Sequence, residues 1–244
     1  MHPSAYDEMA RCVNTYMRKG RKYTVVDYGS FSSPERITMT HRSLLEAYDC
    51  DIVGVDVRAG HNVDVVMPKP YRVPMKSNSV DVVISGQVFE HIPFFWASMV
   101  EIARLLKADG YLFMTVPSRG HVHTSVDCWR YYPDGMRAMA AFSGLTLREV
   151  RTDFPPRLRD IDPGTRAGGG RHHYAGIDVE NRYWGDTVGV FQKPREYPSL
   201  RMAAVRKPLL WWANRTADAA LPPRAKAGSS RTGRGTSRSV SGSR

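Results

Sequence analysis

The chain reads as an α/β protein built on an open, mostly parallel sheet with helices on both faces. Three observations predict this. Short apolar strands alternate with helical patterns from residue 23 to residue 154. Residues 80–85 are almost continuously apolar, as a strand buried on both faces must be. The strands at 24–27 and 52–56 each end on an aspartate, Asp27 and Asp56, at the position where strands of such a sheet meet their ligands.

The elements follow in order. Residues 4–17 form a helix, because Ala5, Met9, Val13 and Met17 recur every four positions and Gly20 stops it. Strand one is 23–28. A helix follows from about Ser33 to Tyr48, with Ser33 as its cap and Pro34 in its first position. Strands two and three are 52–57 and 62–67, after which Pro68, Pro70 and Pro74 impose a loop. Strand four, 80–85, leads into the clearest helix, 93–107, where Phe95, Met99, Ile102, Ala103 and Leu106 share one face. Asp109-Gly110 turns the chain into strand five, 111–116. Residues 133–143 are a helix, and 145–154 and 187–192 are strands. Right-handed crossovers bring the strand C-termini to one edge, so Asp27, Gly29, Asp56, Ser85, Gly86, Pro117 and Ser118 converge there. Residues 155–186 carry Gly168-Gly169-Gly170, His172, His173 and Trp184 without regular periodicity, and read as a substrate lid.

Four divisions result: an N-terminal helix (1–20), an α/β domain (21–194), an extension (195–221) and a tail (222–244). The tail carries six basic residues and no acid, and the extension five against two. Of the net charge of +11, only +2 therefore belongs to residues 1–194. The basicity sits in a Gly/Ser/Arg/Thr segment whose composition suits a solvated, disordered end, and no specific nucleic-acid partner is expected. No apolar run is long enough to span a membrane and the N-terminus lacks a signal pattern, so a cytoplasmic protein is expected. Cys12, Cys50 and Cys128 suit neither a disulfide framework nor a zinc site, and spacing suggests no metal. Leu209, Leu210, Trp211 and Trp212, flanked by Arg206, Lys207 and Arg215, leave two readings open for 202–215. One is peripheral membrane contact; the other is docking onto the domain or onto a second subunit of a homodimer.

A buried strand, a glycine turn, a helix and a second carboxylate-tipped strand make half of a nucleotide-binding crevice. The glycine lets backbone approach the ligand, and the distal carboxylate accepts from a ribose diol. An adenosine-type ligand is the consequence.

Four segments narrow that ligand: Val25-Val26-Asp27-Tyr28-Gly29-Ser30, Val55-Asp56, residues 81–92 with Ser85-Gly86-Gln87 and Glu90-His91, and residues 102–113 with their Asp109-Gly110 turn. In this order and spacing they resemble the class I S-adenosylmethionine-dependent methyltransferases, small-substrate branch, over residues 20–193. The resemblance implies a Rossmann-like seven-stranded sheet with its last strand antiparallel, and S-adenosyl-L-methionine as cofactor. Val116-Pro117-Ser118-Arg119-Gly120, His123, residues 127–135 and 184–191 are similar to a subgroup linked with polysaccharide biosynthesis. Its members are sugar O-methyltransferases, methylmannose-polysaccharide type among them. Gly29 is the only glycine of the first motif, and Met67 stands where many relatives carry an acid near the adenine.

On this reading Asp27, Gly29, Ser30, Asp56, Met67, Ser85, Gly86 and Gln87 hold the donor. A saccharide hydroxyl is a poor nucleophile while protonated, so a base is needed. His123 is the first choice, Asp127 orients or replaces it, and His91 is the rival. Trp129, Tyr131, Tyr132 and Trp184 offer stacking faces for a small-molecule or oligosaccharide acceptor, and Arg119 and Arg130 suit an anionic group on it. A lipid quinone or other small metabolite is the alternative acceptor, and a non-catalytic donor- or nucleic-acid-binding module the alternative role. Ser85-Gly86-Gln87 lacks the Asn/Asp-Pro-Pro-aromatic turn of base-methylating enzymes.

Overall fold

The computed structural model describes residues 3–32, 39–152 and 185–220. Its elements are α1 (Pro3–Tyr16), β1 (Tyr23–Tyr28), α2 (His41–Leu45), β2 (Cys50–Asp56), β3 (Val65–Val66), β4 (Val80–Gly86), α3 (Phe95–Leu105), β5 (Leu106–Arg119), α4 (Pro133–Ser143), β6 (Thr146–Thr152), β7 (Gly185–Gln192) and α5 (Ser199–Ala220). The seven strands lie in the order β3-β2-β1-β4-β5-β7-β6. β1 is parallel to β2 and β4, and β4 to β5, whereas β7 runs antiparallel between β5 and β6. The expected class, strand number and reversed last strand are all present. Strand order reverses between β1 and β4, the switch point where ligands bind such sheets.

Alternate side chains on each strand serve opposite faces. Val26, Val83, Leu112 and Met114 pack on Met99 and Ile102 of α3 and Met136 and Met139 of α4. Val25, Val82, Ile84 and Phe113 pack on Met9, Cys12 and Val13 of α1 and Leu45 of α2. Each such fully buried side chain contributes roughly 1.5–3 kcal/mol. This two-sided burial is why the strands read as continuous apolar runs.

Several boundaries differ from expectation for local reasons. Asp109-Gly110 does not precede β5 but bulges within it: pairing jumps from Val80–Leu106 to Val82–Tyr111. Asp109 there adopts φ 62, and a Cβ on Gly110 would lie 2.9 Å from the Asp81 carbonyl oxygen. β3 is only two residues long. Asn62 takes φ 66, and the Asp64 carboxylate turns back to accept from the Gly54 amide (2.6 Å). α2 is capped by Thr40, whose hydroxyl accepts from the Ser43 amide (3.2 Å). The expected start at Ser33-Pro34 lies outside the described residues, as do Trp184, His172, His173, nearly all of the lid and the basic tail.

The extension forms one helix that continues through Pro208. Met202, Leu210, Ala213 and Ala217 pack on Tyr71, Ala97 and Val100. The Trp212 ring lies 4.9 Å from that of Phe94, while Trp211 stays 60% exposed. Of the two readings open for 202–215, docking onto the domain is the one seen. Beneath it the buried Glu101 carboxylate accepts from Arg104 Nε (2.9 Å) and the Val73 amide (3.1 Å). Arg104 also donates to the Val73 and Met75 carbonyls. Such a pair withstands burial only because its hydrogen-bonding capacity is used. Among the described residues no helix is long and apolar enough to cross a membrane.

At the N-terminal end of β4, burial alone would raise the Asp81 carboxyl. The Lys107 ammonium (2.7 Å), the Thr24 amide (3.0 Å) and Arg21 (3.1 Å) outweigh that and hold it below its ordinary value. A carboxyl lowered by folding contributes stability above its unfolded pKa of about 3.9, and that stability is lost as pH falls through the folded value. Asp81→Asn is expected to lower stability at pH 7 and to flatten its decline below about pH 4. Denaturant titrations at a series of pH values check this; an unchanged acid limb in the variant contradicts it.

Candidate functional site

The edge formed by the C-termini of β1, β2, β4 and β5 collects the predicted donor residues. Gly29 leaves β1 at φ 81. Its amide and that of Ser30 both donate to the Val55 carbonyl (2.8 and 3.1 Å). A Cβ on Gly29 would lie 2.4 Å from Val88 Cγ1, so the loop after β1 packs directly on the loop after β4. Asp56 ends β2, almost buried. One of its carboxylate oxygens accepts from the Phe31 amide (3.2 Å) and the other from the Arg58 amide (2.9 Å). Each oxygen keeps further acceptor capacity, as recognition of a diol requires. The Arg58 guanidinium lies 4.3 Å over the half-exposed Phe31 ring, an aromatic beside Asp56 that sequence reading passed over. Met67 is buried at the same end and donates its amide to the Asp56 carbonyl (2.8 Å).

Other donor candidates take different parts. Asp27 is tied to His41 Nδ1 at 2.7 Å, a buried pair that the sequence gives no reason to expect. The Ser85 hydroxyl donates to the Tyr28 carbonyl (3.0 Å) and locks β4 to β1. Gln87 adopts φ 58 beyond Gly86 and donates to Asp186 (3.0 Å), which Ser4 of α1 also reaches (2.8 Å).

The predicted base residues converge. His123 Nδ1 lies 2.9 Å from Asp127, whose side chain is fully buried, and Arg130 clamps the same carboxylate at 2.5 and 2.9 Å. That guanidinium, aided by the His123 amide and against the effect of burial, holds the Asp127 carboxyl far below the ordinary range. The His91 and His123 rings are 5.0 Å apart and tilted by 57°. His91 Nδ1 donates to the Val126 carbonyl (2.6 Å), which orients Nε2 as an acceptor 3.5 Å from Glu90. Burial, partly offset by that hydrogen bond, lowers the His91 pKa and favours the neutral ring. Burial also pushes the Glu90 carboxyl up to about 8.

The acceptor candidates divide. Trp129 and Tyr132 are exposed, with the Trp129 indole donating to the Ile92 carbonyl (3.0 Å). Tyr131 is buried instead, its hydroxyl donating to the Phe89 carbonyl (3.0 Å), and it lines the apolar cavity between α3 and α4 from the core side. Arg119 ends β5 opposite Gly185. Arg130 is committed to Asp127. An apolar cavity of about 480 Å³ opens between α3 and α4, lined among others by Phe95, Trp96, Met139, Phe142 and Leu209. Phe95 joins it to Trp129, ring to ring at 5.3 Å.

Buried polar groups are normally hydrogen-bonded. Among the described residues, Ser30 Oγ, His41 Nε2, both Glu90 carboxylate oxygens and Thr115 Oγ1 are not. Ser30 and Glu90 follow β1 and β4, His41 pairs with Asp27 near the end of β1, and Thr115 lies opposite Gly86. Unsatisfied groups gathered at one edge, beside Asp56 and Gly29, fit an adenosine-bearing ligand with polar ends.

A family model described as a methyltransferase domain matches residues 39–114. No curated protein matches the sequence. Solved structures share the fold. One is a complex between the Haloferax volcanii Trm112 methyltransferase activator and a methyltransferase, at 19% identity, covering 78% of this chain and 96% of that one, with TM-score 0.52. Haemonchus contortus phosphoethanolamine N-methyltransferase 2, bound to phosphomonomethylethanolamine and S-adenosylhomocysteine, gives 16%, 78%, 52% and 0.53. The [4+2]-cyclase SpnF gives 15%, 77%, 80% and 0.52. At such identities the likeness carries the fold, and a cyclase among the neighbours shows that fold alone does not fix chemistry. The family match over residues 39–114 and the strand order agree with the expected class I S-adenosylmethionine-dependent methyltransferase fold.

Gly29→Ala forces a Cβ into Val88 and strains a left-handed position, with an expected loss of about 1–3 kcal/mol. Val88→Ala in the same chain should recover the steric part and leave about 1 kcal/mol of backbone strain. Denaturant midpoints of the two variants measure this, and a Gly29→Ala protein as stable as its parent refutes the close packing of the two loops.

Proposed function

We propose that this chain is a methyltransferase that moves the methyl group of S-adenosyl-L-methionine to a hydroxyl of a saccharide or glycolipid. The observation that carries the reading is the His123–Asp127 pair at the crevice edge, with His91 beside it. An oxygen acceptor must lose a proton during transfer, and an imidazole held by a carboxylate is suited to take it. The exposed Trp129 and Tyr132 supply flat faces for a sugar ring. The apolar cavity adjoining Trp129 suits the lipid part of a glycolipid.

The donor supplies an electrophilic methyl: the acceptor oxygen forms the new C–O bond, the C–S pair stays with sulfur, and the hydroxyl proton passes to His123. The chain's own residues do the rest. Asp56 and the Gly29-Ser30 loop hold the adenosine end. Arg130 keeps Asp127 ionised, and Asp127 keeps the His123 ring oriented through Nδ1. Holding the oxygen in line with methyl and sulfur lowers the barrier by replacing a bimolecular encounter with a pre-oriented one.

Incubation with methyl-labelled donor and separated glycan and glycolipid fractions tests this. Label should enter those fractions as an ether; label confined to protein, RNA or quinones refutes the assignment. His123→Ala should lower kcat by about 10²–10⁴-fold while S-adenosylhomocysteine binds as before.

A further inference from the structure

We infer that Glu90, His91 and His123 form a binding site for a divalent transition-metal ion beside the donor crevice. Spacing along the chain gives no hint of it, since positions 90, 91 and 123 match no familiar ligand pattern. The fold assembles it. One carboxylate oxygen of Glu90 and one ring nitrogen from each histidine lie within 4.8 Å of one another. An ion with bonds of about 2.0–2.1 Å holds tetrahedral ligands about 3.3–3.5 Å apart. Glu90 and His91 already stand at 3.5 Å, and the two imidazole rings lie 5.0 Å apart.

Three further features are those of a built site. Glu90 is fully buried and neither of its oxygens has a hydrogen-bond partner. A carboxylate in that position is costly unless a cation or donor meets it. Each histidine is oriented through Nδ1, His91 by the Val126 carbonyl and His123 by the Asp127 carboxylate. A backbone carbonyl or carboxylate behind the ring is the usual support of a metal-binding imidazole. Finally, the Cys128 amide donates to the Glu90 carbonyl (2.7 Å), which ties the loop bearing His123 to the turn bearing Glu90 and His91.

Two imidazoles and one carboxylate suit Zn²⁺ or Mn²⁺ better than Mg²⁺, and leave a coordination position for an oxygen ligand. An ion there acidifies an oxygen bound to it. In the loaded protein His123 is a ligand rather than the base, and the acceptor hydroxyl, acidified by the ion, gives its proton to solvent water. That role rests on the hydroxyl-transfer reading, whereas binding of the ion does not.

Calorimetric titration of the chelator-stripped full-length chain with Zn²⁺ tests the site, with S-adenosylhomocysteine titrated in parallel to show that each variant is folded. One saturable event is expected. It should weaken by more than about 100-fold in Glu90→Gln and His91→Ala, and by about 10–100-fold in Asp127→Asn. A His172→Ala/His173→Ala double variant should keep it. Should Glu90→Gln lose the donor product as well, His123→Ala, altered at a part-exposed ring, carries the same test. Zn²⁺ binding unchanged in the single variants, or lost only in the double variant, overturns the proposal. Failure of the hydroxyl-transfer reading looks different: Zn²⁺ binds as described, yet label never reaches a hydroxyl.

Discussion

β1 lies parallel between β2 and β4, and the chemistry of the chain depends on that one arrangement. It forces the backbone leaving β1 and the backbone leaving β4 to diverge from adjacent points. The two departing loops pack so closely that Gly29 has no room for a side chain against Val88. The Val55 carbonyl, one strand over, receives both amides of the turn. Asp56 is thereby held beside the β1 loop, and Glu90-His91 are carried out past β4. A different neighbour for β1 would scatter these groups over the sheet.

Two carboxylates near this edge are driven in opposite directions. Asp127 sits against Arg130 and stays ionised; the Glu90 carboxyl is buried without a hydrogen-bond partner and is pushed up to about 8. Environments that separate like groups in this way mark acid–base or ligand chemistry more often than structural pairing. The buried Glu101–Arg104 pair shows the contrast, since its members satisfy each other and the Val73 and Met75 backbone, joining α3 to the 73–75 loop and, through Arg206, to α5.

Much of the fold was legible because its signals are local. β1 and α4 match the expected residues, the first by its apolar run and the second by Pro133 in its first turn and Gly144 at its left-handed cap. Asp56 and Gly29 were legible because their positions follow from strand ends. What failed to show depends on which face a side chain takes. Ser85 turns its hydroxyl to β1, Tyr131 turns into the core, and His41 turns onto Asp27. No periodicity encodes such choices. The Glu90–His91–His123 cluster was hidden for a further reason: its members come from two segments that meet only when the 121–130 loop folds back over the end of β4.

The central claim is that this edge binds the donor through Asp56. Calorimetric titration of S-adenosylhomocysteine into the parent chain and into Asp56→Ala tests it most directly. The account predicts one-to-one binding that weakens by at least about 10-fold in the variant, as loss of charge-assisted hydrogen bonds worth about 1.5–3 kcal/mol requires. No binding to the parent, or equal affinity in the two proteins, would contradict it.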